Sequence, residues 1–201
     1  MNININNIIN YIILKGPCIK DIGLFHGKMG LVVALYAYAD KYNDKVLKDF
    51  AWDLLQQIYE NVHADLPVGL EYGLAGIGYG ITLLYKKGLI NCDLNAALYE
   101  IDAKIMEHDP RRIADCSVRT GIAGLQLYIM LRQSTDQSLL TFDSRYLSEL
   151  PSVAGYQTKS DPTTAVFDII NEPSFAISEY VENHIGIDGG SAYYIFKDIF
   201  L

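Results

Sequence analysis

Several polar and ionisable side chains in this sequence stand immediately before glycine turns. His26 precedes Gly27, Glu71 and Tyr72 precede Gly73, Arg119 and Thr120 precede Gly121, and His184 with Ile185 precedes Gly186. Lys28 and Asp188 lie inside the first and fourth of these turns. An imidazole, a carboxylate, a guanidinium and a hydroxyl gathered at one end of a fold can move a proton or grip a peptide. His26, Glu71 and Arg119 are therefore the candidate catalytic groups. Lys28, Tyr72, Thr120, His184 and Asp188 are the candidate substrate-binding groups. Each position also has a plainer reading, because polar residues precede glycine turns wherever turns face water. Glu71 and Arg119 suit an ion pair between neighbouring turns. Asp188 suits a helix N-cap, and Cys116 suits a small buried residue. His63 and His108 fall near helix ends and read as locally bonded. Asp109-Pro110-Arg111-Arg112 reads as a solvated turn whose arginine pair would suit an acidic peptide.

The elements that position these residues repeat. Gly23-Leu-Phe-His-Gly-Lys-Met-Gly30, Gly69-Leu-Glu-Tyr-Gly-Leu-Ala-Gly76 and Ser117-Val-Arg-Thr-Gly-Ile-Ala-Gly124 share a GxxG entering an apolar run. A looser copy is His184-Ile-Gly-Ile-Asp-Gly189. Gly27 to Gly73 is 46 residues, Gly73 to Gly121 is 48, and Gly121 to Gly186 is 65. A period near 47 suits two helices with their turns. Residues 31–39, 77–85, 121–131 and 189–201 are apolar nearly all round and predict buried inner helices. Residues 44–63 and 93–106 carry one apolar stripe each and predict outer helices, the second capped by Asp93. Ile5, Ile8, Ile9 and Ile12 form a similar face. The longer last repeat predicts an irregular insertion at about 134–162, with helices at 144–150, 163–171 and 174–184. The expected fold is one all-α domain over 1–201. It is an α/α toroid-like array of about four helical hairpins, an incomplete ring, with GxxG turns opening the inner helices.

Composition narrows the function. Lys+Arg is 16 and Asp+Glu is 24, a formal charge of −8. An acidic chain without a basic stripe is a poor partner for nucleic acid and for an anionic membrane surface. No apolar run approaches the roughly 20 residues of a membrane span. The first residues lack the pattern of a signal peptide. Three scattered cysteines make neither a disulfide framework nor a CxxC motif. A reduced, cytoplasmic protein is expected.

The quoted repeats resemble the lanthionine synthetase C-like family, most of all Gly69-Leu-Glu-Tyr-Gly-Leu-Ala-Gly-Ile-Gly-Tyr-Gly80. The resemblance implies a toroid with its site at the mouth formed by the GxxG loops. It implies zinc there, which activates a cysteine thiol of a ribosomally made peptide. The thiolate then adds to a dehydrated Ser or Thr and closes a thioether ring. The family ring has seven hairpins, against about four here, so the open end of the arc needs covering by a second copy, as a homodimer, or by a different protein. The family's zinc is held by a Cys in one inner turn and a Cys-His-Gly in another. This sequence has no Cys-His pair, and Cys116 lies five residues before Gly121. Only His26-Gly27 keeps the last two letters. The expectation is a short, degenerate, zinc-free accessory member with no cofactor. Its partner would be a peptide substrate or a modifying enzyme. An enzyme centred on His26 and a generic helical scaffold are the alternatives.

Overall fold

A computed structural model describes residues 5–136, 142–150, 161–174 and 184–200. The expected helix at 174–184 and most of the expected insertion fall outside these residues. Among the described residues there are eight α-helices and no β-strand. None of these helices is long and apolar enough to cross a membrane. The chain groups into two compact units, residues 1–61 with 170–201, and residues 62–169.

In the first unit α1 (Ile5–Lys15), α2 (Lys28–Tyr42), α3 (Lys45–Glu60) and α8 (Ala192–Phe200) pack together. α2 buries every residue from Lys28 to Ala37, so it has no polar face and must be covered on all sides. α3 and α8 cover it. α3 contributes one stripe, Leu47, Ala51, Leu54, Leu55 and Ile58, at helical spacing. Asp44 starts α3 by accepting the Leu47 amide at 3.0 Å. Asn43, in the left-handed region at φ 52°, stops α2 and turns the chain back in two residues.

The second unit repeats the plan with α4 (Leu74–Lys86), α5 (Leu94–Met106) and α6 (Ile122–Gln133). α4 is buried from Leu74 to Leu84 and packs on both others. Asp93 caps α5 through the Ala96 amide, as its position predicts. The short α7 (Ser144–Glu149) lies where 144–150 predicts a helix. The helix expected at 163–171 is only a 3-10 turn, Ala165–Asp168. Asp161 competes for the backbone there, accepting the Thr163 amide at 2.9 Å.

Polar atoms tie these three helices together. Gly78 of α4 has no side chain because the Tyr128 ring of α6 lies against it. Tyr128 donates its hydroxyl to Asp102 of α5. Arg132 of α6 faces the other Asp102 oxygen at 3.6 Å and donates to Asn95 at 2.5 Å. All three of Tyr128, Asp102 and Arg132 are buried. Burial, then the Asp102 charge, push the Tyr128 phenol far above its usual range.

Two predictions follow from this packing. Asp102→Asn leaves the Arg132 cation uncompensated in the core and costs about 3–5 kcal/mol in urea unfolding. Replacing the trio together by Leu, Met and Phe recovers most of that loss, because an apolar set of similar volume needs no partners. Gly73→Ala drives a methyl group into the Pro67 carbonyl. It costs several times more than Gly88→Ala, where the site is open and only the φ of 70° is strained, by about 1 kcal/mol.

Candidate functional site

Each inner helix is opened by the same corner. The amide that follows the corner's last glycine bonds back to a carbonyl seven residues earlier: Lys28 to Asp21, Leu74 to Pro67, Ile122 to Asp115 and Ser191 to His184. The residue before it is always glycine: Gly27, Gly73, Gly121 and Gly190. A methyl group at any of these would strike backbone of its own turn. The fourth corner is therefore Gly186-Ile-Asp-Gly-Gly190, four residues on from the expected Gly186-to-Gly189 register. Tyr193 stands where the first and third corners carry Gly30 and Gly124. The shared signature is a small residue, three others and a glycine, beginning at Gly23, Gly69, Ser117 and Gly186.

Corners meet in pairs, within each unit, through residues two before the last glycine. In the second unit the Glu71 amide donates to the Arg119 carbonyl at 2.7 Å. In the first unit the Asp188 amide donates to the Phe25 carbonyl at 3.1 Å. Gly69 and Gly186 make this approach possible. A methyl group on Gly69 would lie 2.6 Å from the Thr120 oxygen, and one on Gly186 would strike Phe25 and His26 backbone. Sequence reasoning used the later glycines and missed the role of these two.

In the first unit His26 and Asp188 come together, with Nε2 3.4 Å from Oδ2. His26 is 35% exposed and Asp188 only 5%, so the pair presents the imidazole outward. The other Asp188 oxygen accepts the Asn171 amide at 2.6 Å and its side chain at 2.9 Å. Asp188 is thus no helix cap. It lies four residues before α8 and fastens the 171 segment instead. Asn171 has no sequence signature. Lys28 is buried, and its Nζ donates to Gln57 of α3 at 2.6 Å. Burial pushes the Lys28 ammonium below the usual lysine range, while Cys18 and Glu60 pull it back up. The His184 carbonyl accepts the Ser191 amide and hydroxyl, and the residue is exposed.

In the second unit Arg119 donates to Glu71 at 3.1 Å and to the Ile169 carbonyl at 3.3 Å. The pair is partly sheltered, with Glu71 8% and Arg119 30% exposed. Tyr72 is exposed beside it in sequence. Thr120 donates to Asp115 at 2.5 Å, and the Ser117 amide and hydroxyl bond the same carboxylate. These bonds, Thr120 first, hold the Asp115 carboxyl below its usual range. Asp21 makes the matching bond to the Gly23 amide at 2.7 Å, so an Asx turn starts the first and third corners. Cys116 is exposed in this loop, against the expectation of a buried thiol. His63 is exposed, 3.9 Å from Asp65. His108 closes the last turn of α5 through its amide. Arg111 bonds Asp109 at 2.9 Å and Arg112 pairs with the same carboxylate at 3.6 Å, so both arginines are engaged locally.

A family profile described as Lanthionine synthetase C-like protein matches residues 5–176. The chain belongs to that family. The matched span holds the first three corners, and the fourth lies beyond it. No curated protein and no solved structure matches the chain.

Family zinc can be tested against these corners. A Cys-His-Gly set requires a thiolate two residues before the glycine. Phe25, Glu71, Arg119 and Asp188 stand there. Cys18 lies in a 3-10 turn, Cys92 precedes α5, and the Cys116 thiol points to the Ala114 carbonyl at 3.8 Å. The thiolate donor set does not fit.

The buried Lys28 gives a pH prediction. Its folded pKa is lowered, so the unfolded chain holds the proton more tightly and stability rises with pH. The gain builds from the depressed folded value up to the unfolded value of about 10.4. Unfolding free energies measured across that range should climb more steeply in the wild type than in Lys28→Met.

Proposed function

We propose that the chain is a zinc-free, peptide-binding accessory member of its family, associated with the modification of ribosomally made peptides. The observation that carries this is the identity of the residues two before each corner glycine. The family chemistry needs thiolates there, and this chain offers Phe25, Glu71, Arg119 and Asp188. Glu71 and Arg119 bond one another, and Asp188 bonds Asn171 and faces His26. Groups so engaged are pre-ordered donors and acceptors, suited to gripping a peptide backbone. Tyr72, Thr120, Lys28 and His184 complete the set of contacts on the same turns. The array closes toward an α/α toroid, and the acidic chain works in a reduced compartment without nucleic acid or membrane partners. A second copy or the modifying enzyme covers its open end.

His26 with Asp188 also favours a second reading, an acid–base catalyst, since a carboxylate-backed imidazole can carry a proton near neutral pH. One experiment separates the two. A synthetic peptide bearing one cysteine and one dehydroalanine is added to the wild type, His26→Ala and Glu71→Gln. The expected result is peptide binding by wild type, weakened about tenfold or more in both variants, with no thioether product and folding intact. Ring closure by wild type that is lost in His26→Ala would establish the enzyme. Stoichiometric zinc in the purified protein would overturn the zinc-free assignment.

A further inference from the structure

A second groove lies in the first unit, at the end of α2 away from His26. It encloses about 600 Å³ between α1, the last turn of α2 and the first turn of α3. Asn6, Ile9, Asn10 and Ile13 follow one another along one face of α1, at steps of three and four residues. Tyr38 and Tyr42 form the α2 wall, with ring centroids 4.3 Å apart. Val46, Leu47 and Phe50 form the α3 wall. Ile9 and Leu47 are buried, so the floor is apolar. The rim sets exposed apolar side chains, Ile13 41%, Tyr42 53% and Val46 80% exposed, among the polar Asn6, Asn10 and Asp44. Single exposed apolar residues need no explanation, but three around one groove are a binding surface.

Charge selects the occupant. No lysine or arginine lines the groove, and Asp44 does. Asp49 and Asp53 follow Val46 and Phe50 by one turn each, along the same edge of α3. Lys48 lies on the opposite edge by helical phase. Lys45, like Lys48, lies on the back of α3 by helical phase. Lys41, at the end of α2, sits 5.6 Å from the Tyr42 ring centroid, and Asp198 pairs with it at 2.8 Å. An apolar floor flanked by carboxylates fits a helix with apolar side chains on one face and cations beside them. A second copy of this chain, at −8, is the wrong charge.

We propose that this groove docks a short, basic amphipathic helix of another protein. The contact is separate from the glycine corners, since α2 places its two ends about 20 Å apart. Its failure would therefore leave the reading of the corners untouched.

The probes are two helical peptides of about 15 residues, one of Leu and Lys and one of Leu and Glu in the same pattern. The full chain should bind the Leu/Lys peptide at least about tenfold more tightly than the Leu/Glu peptide. Val46→Lys should weaken that binding about tenfold, because it puts a cation on the rim where a cation must land. Val46 is mostly exposed, so the variant folds. Tyr99→Lys, on the exposed face of α5, should bind as the wild type does. Equal affinity for both peptides, or equal loss in Tyr99→Lys, overturns the proposal. A wild-type dimer that Val46→Lys converts to monomer overturns it in favour of a second copy.

Discussion

One backbone hydrogen bond, made between equivalent residues of paired corners, organises both halves of this molecule. Glu71 gives its amide to Arg119, and Asp188 gives its amide to Phe25. A loop that turns straight into a buried helix has amides with no helical partner. Here the turn's own carbonyls and a neighbouring corner supply the partners. The bond requires two backbones to approach without side chains between them, which fixes Gly69 and Gly186. It also decides which side chains meet. Whatever occupies the position two before the last glycine is placed beside the neighbouring corner. The Glu71–Arg119 pair and the Asp188–His26 pair are therefore products of the fold's own joint, and the sequence at those positions chooses their chemistry.

The same economy explains the buried polar network. Inner helices without a polar face leave no solvent to satisfy a polar atom, so any such atom must find its partner inside. Thr82 meets the need locally, donating to the Gly78 carbonyl of its own helix. Asp102, Tyr128 and Arg132 meet it by joining α5 to α6. Apolar residues of similar volume could fill that space at little cost in stability. A buried pair with one set of partners holds a single register.

Helices were legible because periodicity is a local property. The stripe on α3 and the all-round apolar run of α4 follow from residue order alone, and Asp93 announces its cap. The corners were half legible. The later glycines repeat visibly, but three glycines crowd Gly186 to Gly190 and Tyr193 replaces the one expected at the fourth helix. Spacing therefore favoured the wrong register by four residues. Only the seven-residue hydrogen bond into Ser191 identifies the right one. Asn171 was illegible for a different reason. Its bond to Asp188 joins residues 17 apart across an irregular segment, and no pattern encodes it. The Glu71–Arg119 pair, 48 residues apart, was foreseeable because the repeat itself brings equal positions together.

That rule bears on chemistry. Activating a peptide thiol needs a Lewis acid or a strong base that is open to the substrate. The residues two before each corner glycine, Phe25, Glu71, Arg119 and Asp188, include no thiol. Arg119 pairs with Glu71, and Asn171 bonds one oxygen of Asp188 twice. The imidazole of His26 is 35% exposed, against 5% for Asp188, and is the outward member of that pair. Its Nε2 lies 3.4 Å from the Asp188 carboxylate, so the ring is held in place by that neighbour. Corners of this composition thus present polar groups already ordered by their own partners. A single exchange of the residue two before a glycine for cysteine would be the smallest step back toward the family's thiolate chemistry.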